Sequence, residues 1–514
     1  MAKRELHNLQ ILSKSNLTAF RQCPKRLWLE SYRRNDVANA PDAKRRMAEG
    51  DKIGEIARVL CSPNADGRLI DIKAQGVDAA IRTTADILPD RQPIFEAGFE
   101  ASGARCFVDI LVPSGNDDEP EWRMVEVKSS TKLKPYHLED ASIQAYIAAK
   151  SGIAISSIAV AHVDSAWTYQ GDENYQGLLT EVDVTEAATA KAPEVINWIT
   201  EAQEVLASPE PPLVTMGKHC KTPHECGFQH ICRAEQPQAE LPVEWLAGRL
   251  HKDIQSQQRL TPALDIRDID DALLSGDQKR IKDATISGRP YFNQSAAAAE
   301  LEQYSFPLYF LDFETIQCAV PRWAGTKPYQ QIPFQFSLHR LDSPSSWQHT
   351  EFIDLSGNDP TRDFAEKLVD DCGREGAIFV YNAGFESARI KELSERFEDL
   401  SFSLLALNER MVDLHPITRR NFYHPSQKGS WSIKYVLPAI CPDLEDVYQN
   451  LVGVQNGAMA MDAYVAATEF EDIDPAKAEI AKQLKAYCKL DTWAMVRVWS
   501  ALTAVELASL AGED

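Results

Sequence analysis

Asp312 and Glu314 lie two residues apart inside the otherwise apolar run FPLYFLDFETI, residues 306 to 316. A strand alternates its faces, so both carboxylates share one side, about 7 Å apart along the chain, while Leu311 and Phe313 take the other. Unpaired acids cost several kcal/mol each to desolvate, so the pair implies either a strand end open to water or a divalent cation shared between them. A cation would draw further acids from other segments. Glu386, beside Asn382 in IFVYNAGFESARI, and Asp491, four residues after Tyr487 in AYCKLDTWAMVRVW, are placed to supply them. Four converging carboxylates can hold two Mg²⁺ or Mn²⁺ ions about 4 Å apart, one activating water and one stabilising a leaving 3′ oxygen. Asp413 in MVDLHPI is a competing acid or a solvated loop residue. Lys428 and Lys434 flank the Gly-Ser turn of HPSQKGSWSIKYVLPAI, where a phosphate could be met or a helix simply capped. Trp323 and Tyr329 could stack a terminal base, whereas Phe334 reads as core.

A second set lies nearer the N-terminus. Glu126 and Lys128 alternate with Val125 and Val127 in WRMVEVKSS, and Asp109 lies in the apolar run CFVDILV of the preceding strand. Two acids and an ammonium suit metal-assisted phosphodiester hydrolysis, although an acid-x-Lys pair taken alone is more often a surface ion pair. Cys220, Cys226 and Cys232 recur every sixth residue in HCKTPHECGFQHICR, and Cys23 is available as a fourth thiolate. Four thiolates suit a 4Fe-4S cluster; His219, His224 and His230 keep zinc open, and unligated reduced thiols are the third reading.

These groups need elements to hold them. FEAGFEASGARCFVDILV and WRMVEVKSS read as neighbouring strands around the polar loop PSGNDDEPE, with a helix over EDASIQAYIAAKSG. From about residue 301, the segments LYFLDFETI, IPFQFSLHRL and WQHTEFIDL read as an antiparallel meander that leads into parallel α/β pairing and a helical tail. Residues 236–300, polar and rich in Gln and Asp, read as a helical connector. The fold class is α/β, with domains at 1–235 and 301–514.

Composition bounds the function. A net charge of −22 argues against indiscriminate coating of nucleic acid, so a basic contact surface must be local. Residues 1–58 provide one, with thirteen Lys and Arg against seven Asp and Glu. No apolar run reaches the roughly 18 residues of a membrane span, and the polar start MAKRELHNLQ has no signal-peptide core, so a cytoplasmic protein without a membrane partner is expected.

Cys23, VDIL with Asp109, VEVKSS with Glu126 and Lys128, Gln144 and Tyr146 in IQAYIAAK, and the three late cysteines together resemble the PD-(D/E)xK nucleases of the RecB and AddB type that carry an iron–sulfur cluster, over roughly residues 10–235. The resemblance implies a restriction-endonuclease-like fold, DNA cleavage, nucleic-acid contacts from Gln144 and Tyr146, and a cluster on Cys23, Cys220, Cys226 and Cys232 that staples the N-terminal segment to the domain's end. Many such nucleases have a metal-binding His in a G-x-x-x-H segment. GDKIGEIAR has Gly54 there, with Glu55 beside it as a replacement oxygen ligand.

Asp312, Glu314, Glu386 and the pair Tyr487/Asp491 resemble the DnaQ-like 3′ to 5′ exonucleases of the RNase H-like fold whose last motif is Y-x-x-x-D, over about residues 305–505. In that family Tyr487 would orient the attacking water. The middle motif usually has Asp where this chain has Glu386. The whole arrangement resembles a bacterial family that fuses these two domains, which implies a nuclease acting on DNA, or alternatively RNA. Two other readings stand beside it: one active centre with the other domain serving as a nucleic-acid-binding module, and a non-enzymatic iron–sulfur structural or redox protein.

Overall fold

The computed structural model describes residues 10–38, 43–116, 119–444 and 446–508. Residues 1–9 and 39–42 of the basic segment, and 117–118 of the polar loop, lie outside them. The chain forms two compact units. The first comprises Met1–Glu235 with Cys318–Gln330, and the second Gln236–Gln317 with Gln331–Asp514. Among the described residues no helix is long and apolar enough to cross a membrane.

The first unit is built on a mixed seven-stranded sheet. Strands β1 (Ile94–Ala101), β2 (Ala104–Gly115) and β3 (Pro120–Lys128) form an antiparallel meander. The helix Pro135–Lys150 then crosses to β4 (Ile155–Val163), which runs parallel to β3, and β5 (Leu179–Asp183) closes antiparallel to β4. FEAGFEASGARCFVDILV is thus two strands, because Ser102 and Gly103 both take positive φ, 55° and 77°, and reverse the chain in a tight turn. The crossover helix opens with Pro135 at its first position and is buried at every residue from Asp140 to Ala148. Small side chains at Ala141, Ser142, Ala145 and Ala148 let the sheet and neighbouring helices close around it.

The second unit holds a five-stranded sheet in the order β8-β7-β6-β9-β10, where β6 is Leu308–Ile316, β7 Ile332–Ser343, β8 Ser346–Ile353, β9 Ile378–Val380 and β10 Met411–Asp413. The first three strands are antiparallel neighbours, and β9 and β10 run parallel to β6. Strand alternation sorts β6 into two faces. Tyr309, Leu311 and Phe313 pack on Phe364, Leu368, Ile390 and Leu404. Leu308 and Phe310 face the 29-residue helix Pro475–Thr503 through Met495 and Trp499, so Asp312 and Glu314 continue that face.

Residues 236–300 do not form a separate connector. Val243, Leu246, Ile254, Ile266 and Ile281 join the same core as Phe310, Phe379 and Trp499. Their apolar residues are sparse, yet each is fully covered, and that pattern is weak when read along the chain.

Candidate functional site

The carboxylates of the second unit converge. Oxygen atoms of Asp312, Glu314 and Asp491 lie within 4.8 Å of one another. The strand contributes two of them and the long helix the third, and the helix is fixed in register by buried polar groups on β7. Gln335, opposite Glu314, donates to the Leu484 carbonyl at 2.9 Å, and Ser337, opposite Asp312, bonds the Thr492 hydroxyl at 2.8 Å. These contacts set Tyr487 and Asp491 over the acidic end of β6.

Glu386 enters from the first turn of the helix Gly384–Arg396. It is 4 % exposed, and its Oε2 finds no hydrogen-bond partner among the described residues. Asp413 builds the turn that delivers it: its carboxylate accepts the amides of Asn382 at 2.9 Å, Ala383 at 3.1 Å and His415 at 2.9 Å, and Asn382 takes φ 85°. Asp413 is therefore a positioning group and not a solvated loop acid.

Burial, and then mutual repulsion, push these acids up: Asp312 well above its usual range, Glu314 to about 8. Glu386 rises to about 7 through burial and the charge of Asp413. Asp491 also rises through burial, opposed by hydrogen bonds from Tyr448 and Tyr487 and by the charge of Lys434. Such a set is unstable when fully ionised and empty, and its donors are the hard oxygens that Mg²⁺ or Mn²⁺ takes. Lys434 lines the same cleft with its ammonium 4.8 Å from the Tyr487 ring, and it donates to the Tyr487 hydroxyl at 3.3 Å. Lys428 does not line this cleft; it is exposed, 5.8 Å from the Trp245 ring. Two groups here were not singled out in the sequence. Tyr448 donates to Asp491 at 2.7 Å from an irregular segment with no periodicity to flag it, and the Cys488 thiol sits 3.7 Å from Asp312 Oδ2.

In the first unit the strand ladder between β2 and β3 ends at Ile110 and Val125. Beyond that pair, the Asp109 carboxylate takes the Val127 amide at 2.7 Å, and Glu126 and Lys128 project beside it. Glu126 Oε1 accepts from Lys128 at 2.6 Å and from Lys14 at 3.0 Å, and its Oε2 accepts from the Gln144 amide at 2.5 Å. Asp140 pairs with both lysines, at 3.6 Å from Lys14. Asp140 Oδ1 and Gln144 Oε1 find no partner among the described residues.

Burial pushes Glu126 up, but Lys128 and Lys14 outweigh it and hold the carboxyl far below its usual range. Asp109, raised by burial and by the charge of Glu126, reaches about 8. Burial would lower Lys14, yet Glu126, Asp140 and Asp109 keep it firmly protonated. Neither Lys14 nor Asp140 was picked out in the sequence, although Asp140 and Gln144 stand four apart on one helix face, a signal that was available.

Three other expected contacts fall elsewhere. Gln144 is fully buried and donates to Glu126, which it orients. Tyr146 packs in the core with its hydroxyl 3.3 Å from Ser102. Glu55 is exposed and paired with Lys52 at 3.3 Å, because Ile53, Ile56 and Ala57 take the inner face of the helix Ala43–Cys61. Tyr329 belongs to the first unit, where its hydroxyl donates to the Ser129 carbonyl, and Phe334 is fully buried against Tyr464.

Cys23, Cys220, Cys226 and Cys232 line one cavity. Cys23 occupies the extended break between the helices Lys14–Gln22 and Pro24–Tyr32. The Gln22 amide ties that break to the later loop by donating to the carbonyls of His219 and His224, each at 2.7 Å. No three of the four sulfurs lie within 4.8 Å of one another.

A family model described as a domain of unknown function, DUF2779, matches residues 309–432. That stretch takes in Asp312, Glu314 and Glu386 and stops before Lys434, Tyr448, Tyr487 and Asp491. The chain is also similar to the uncharacterised protein UU173 of Ureaplasma parvum serovar 3, at 23% identity over 207 residues. The match covers 37% of this chain and spans only 30% of that relative's length.

Proposed function

We propose that this chain is a metal-dependent nuclease whose cutting centre is the Asp312, Glu314, Glu386 and Asp491 cluster, and that it shortens polynucleotides from the 3′ end. The observation that carries this reading is the approach of half-buried Asp312 and buried Glu314, on the central strand of the sheet, to within 4.8 Å of buried Asp491 on the long helix, with Tyr487 one helical turn before Asp491. An antiparallel meander followed by parallel strands supports the RNase H-like, DnaQ-like assignment of this unit. The meander, crossover helix and parallel strand of the first unit likewise support its PD-(D/E)xK assignment.

Divalent ions held by these acids would supply Lewis acidity at the scissile phosphate and lower the pKa of a nucleophilic water. The remaining work falls to the chain. Asp413 holds the Glu386 turn, and Lys434 meets the substrate phosphate. The hydroxyl of Tyr487, kept protonated by burial and the nearby carboxylates, orients the attacking water. Tyr448 fixes Asp491. In the first unit, Cys23, Cys220, Cys226 and Cys232 would hold a 4Fe-4S cluster, with zinc as the alternative, as a staple between the chain's start and the end of that unit. DNA ends or single strands, in repair, recombination or defence, are the proposed context.

The test is digestion of 5′-labelled single-stranded DNA and RNA by anaerobically purified protein with Mn²⁺. A ladder shortening from the 3′ end supports the reading, and intact oligonucleotides reject it. Two further results are expected. Tyr448→Phe removes the hydroxyl that fixes Asp491 and should weaken Mn²⁺ binding roughly 10- to 100-fold, as measured by titration calorimetry. The raised values of Glu314 and Glu386 mean that the folded metal-free protein binds more protons than the unfolded chain above the ordinary carboxylate range. Its stability contribution from these groups is therefore lost as pH rises through about 7 to 8. Mn²⁺ relieves that loss, so the thermal shift it produces should grow from pH 6 to pH 8.

A further inference from the structure

The two acidic clusters differ in what neutralises them. In the second unit three ligand oxygens face one another across 4.8 Å. In the first, among the described residues, no three carboxylates come that close; Glu126 and Asp140 are already paired with ammonium groups, and Asp109 accepts the Val127 amide. Lys14 reaches Glu126 at 3.0 Å and Asp140 at 3.6 Å, and Lys128 reaches the same two acids from the other side. Two ammonium groups balance two carboxylates in the place where metal-assisted hydrolysis would need a divalent ion. Gly54 offers no imidazole, and Glu55 points away to Lys52.

We propose that Lys14 is the resident cation of the Asp109/Glu126/Lys128 cluster, so that the cleft above it binds a single-stranded polynucleotide without divalent ions and leaves cutting to the second unit.

The cleft that Lys14 and Lys128 floor has a volume of about 750 Å³ and is also lined by Arg21, Arg26, Arg46 and Lys134; Arg21 is paired with Glu139 at 2.9 Å and Arg26 with Glu30 at 2.6 Å, while the Lys134 ammonium stands 5.7 Å from the Tyr136 ring. In a chain of net charge −22 this local concentration of cationic side chains is the feature a phosphate backbone would find. Half-buried Tyr136 stands in its wall with the exposed His224 edge-on at 5.4 Å, rings on which an unpaired base could stack, whereas His137, 4.3 Å from Tyr136, is buried. The volume suits a few nucleotides of one strand. The inference rests on the reading that this chain acts on nucleic acid, but it is tested without measuring cleavage.

The test uses full-length Asp312→Asn/Asp491→Asn protein, in which the second centre is disabled. Mn²⁺ binding is followed by electron paramagnetic resonance, and binding of fluorescein-labelled oligothymidylate and oligouridylate by anisotropy in buffer freed of divalent ions on a chelating resin. The expected result is no tight Mn²⁺ site in this protein, and a gain in Mn²⁺ affinity of at least roughly tenfold when Lys14→Met is added. At least one oligonucleotide should bind without metal, and Arg21→Ala/Lys134→Ala should weaken it roughly tenfold or more. A tight Mn²⁺ site with Lys14 intact, or oligonucleotide binding that appears only when Mn²⁺ is added, overturns the proposal, as does binding of neither oligonucleotide. Should Lys14→Met fail to fold, the Mn²⁺ count and the metal-free anisotropy with Lys14 present still decide it. An inactive second centre would leave these results unchanged, so the two readings fail separately.

Discussion

Asp312→Asn should reduce 3′-end shortening on the order of 10²- to 10³-fold, the loss typical when one preorganised charge-stabilising group is removed from an active site. The same substitution should leave the metal-free protein as stable as before, or more so. Asp312 is raised by burial and by the charges of Asp491, Glu314 and Glu386, so an amide of the same shape relieves repulsion instead of creating a cavity. Activity lost at an unchanged or higher melting temperature therefore distinguishes a metal ligand from a structural acid, which would lose both together. Glu386→Gln should follow the same pattern more weakly, because Glu386 lies outside the group of oxygens within 4.8 Å.

Cys220→Ser should have the largest effect on stability. Cys23 and Cys220 are far apart in sequence yet line one cavity, so a group bonded to both closes a loop of nearly the whole first unit. Removing a covalent link across a loop of that kind costs about 2–5 kcal/mol, of the order found for native disulfides in small domains. In a unit of this size about 1 kcal/mol moves the midpoint by roughly 2–4 °C, so a drop on the order of 10 °C is expected for the first unit, with the second unit's transition unmoved. Differential scanning calorimetry measures both. The variant should also lose bound iron, or zinc if the alternative holds, by elemental analysis. An unchanged midpoint would mean that the cysteines carry no staple.

The parts of this architecture that were legible in the sequence are those where one strong local period dominates. β6 could be read as a strand because four apolar residues precede its acids, and alternation alone put Asp312 and Glu314 on one face. Tyr487 and Asp491 could be placed on one helix face by their spacing of four. What escaped depended on long-range packing. Lys14 stands 112 positions from Glu126, and nothing in the basic N-terminal segment separates it from its solvated neighbours. Tyr448 sits in a turn-rich stretch without periodicity, and Cys488 is a buried core residue whose thiol nevertheless touches Asp312. The role of Gln144 came from a family resemblance, and no local pattern shows that the fold buries its helix on nearly every side. The loop Cys318–Gln330 follows β6 directly in the chain but belongs to the first unit, a placement that no local signal encodes.

The central claim is that the carboxylates around β6 hold divalent ions, and anomalous scattering from crystals soaked in Mn²⁺ tests it most directly. The account predicts two peaks about 4 Å apart, bounded by Asp312, Glu314, Asp491 and Glu386. A map with no manganese among those four side chains would contradict it.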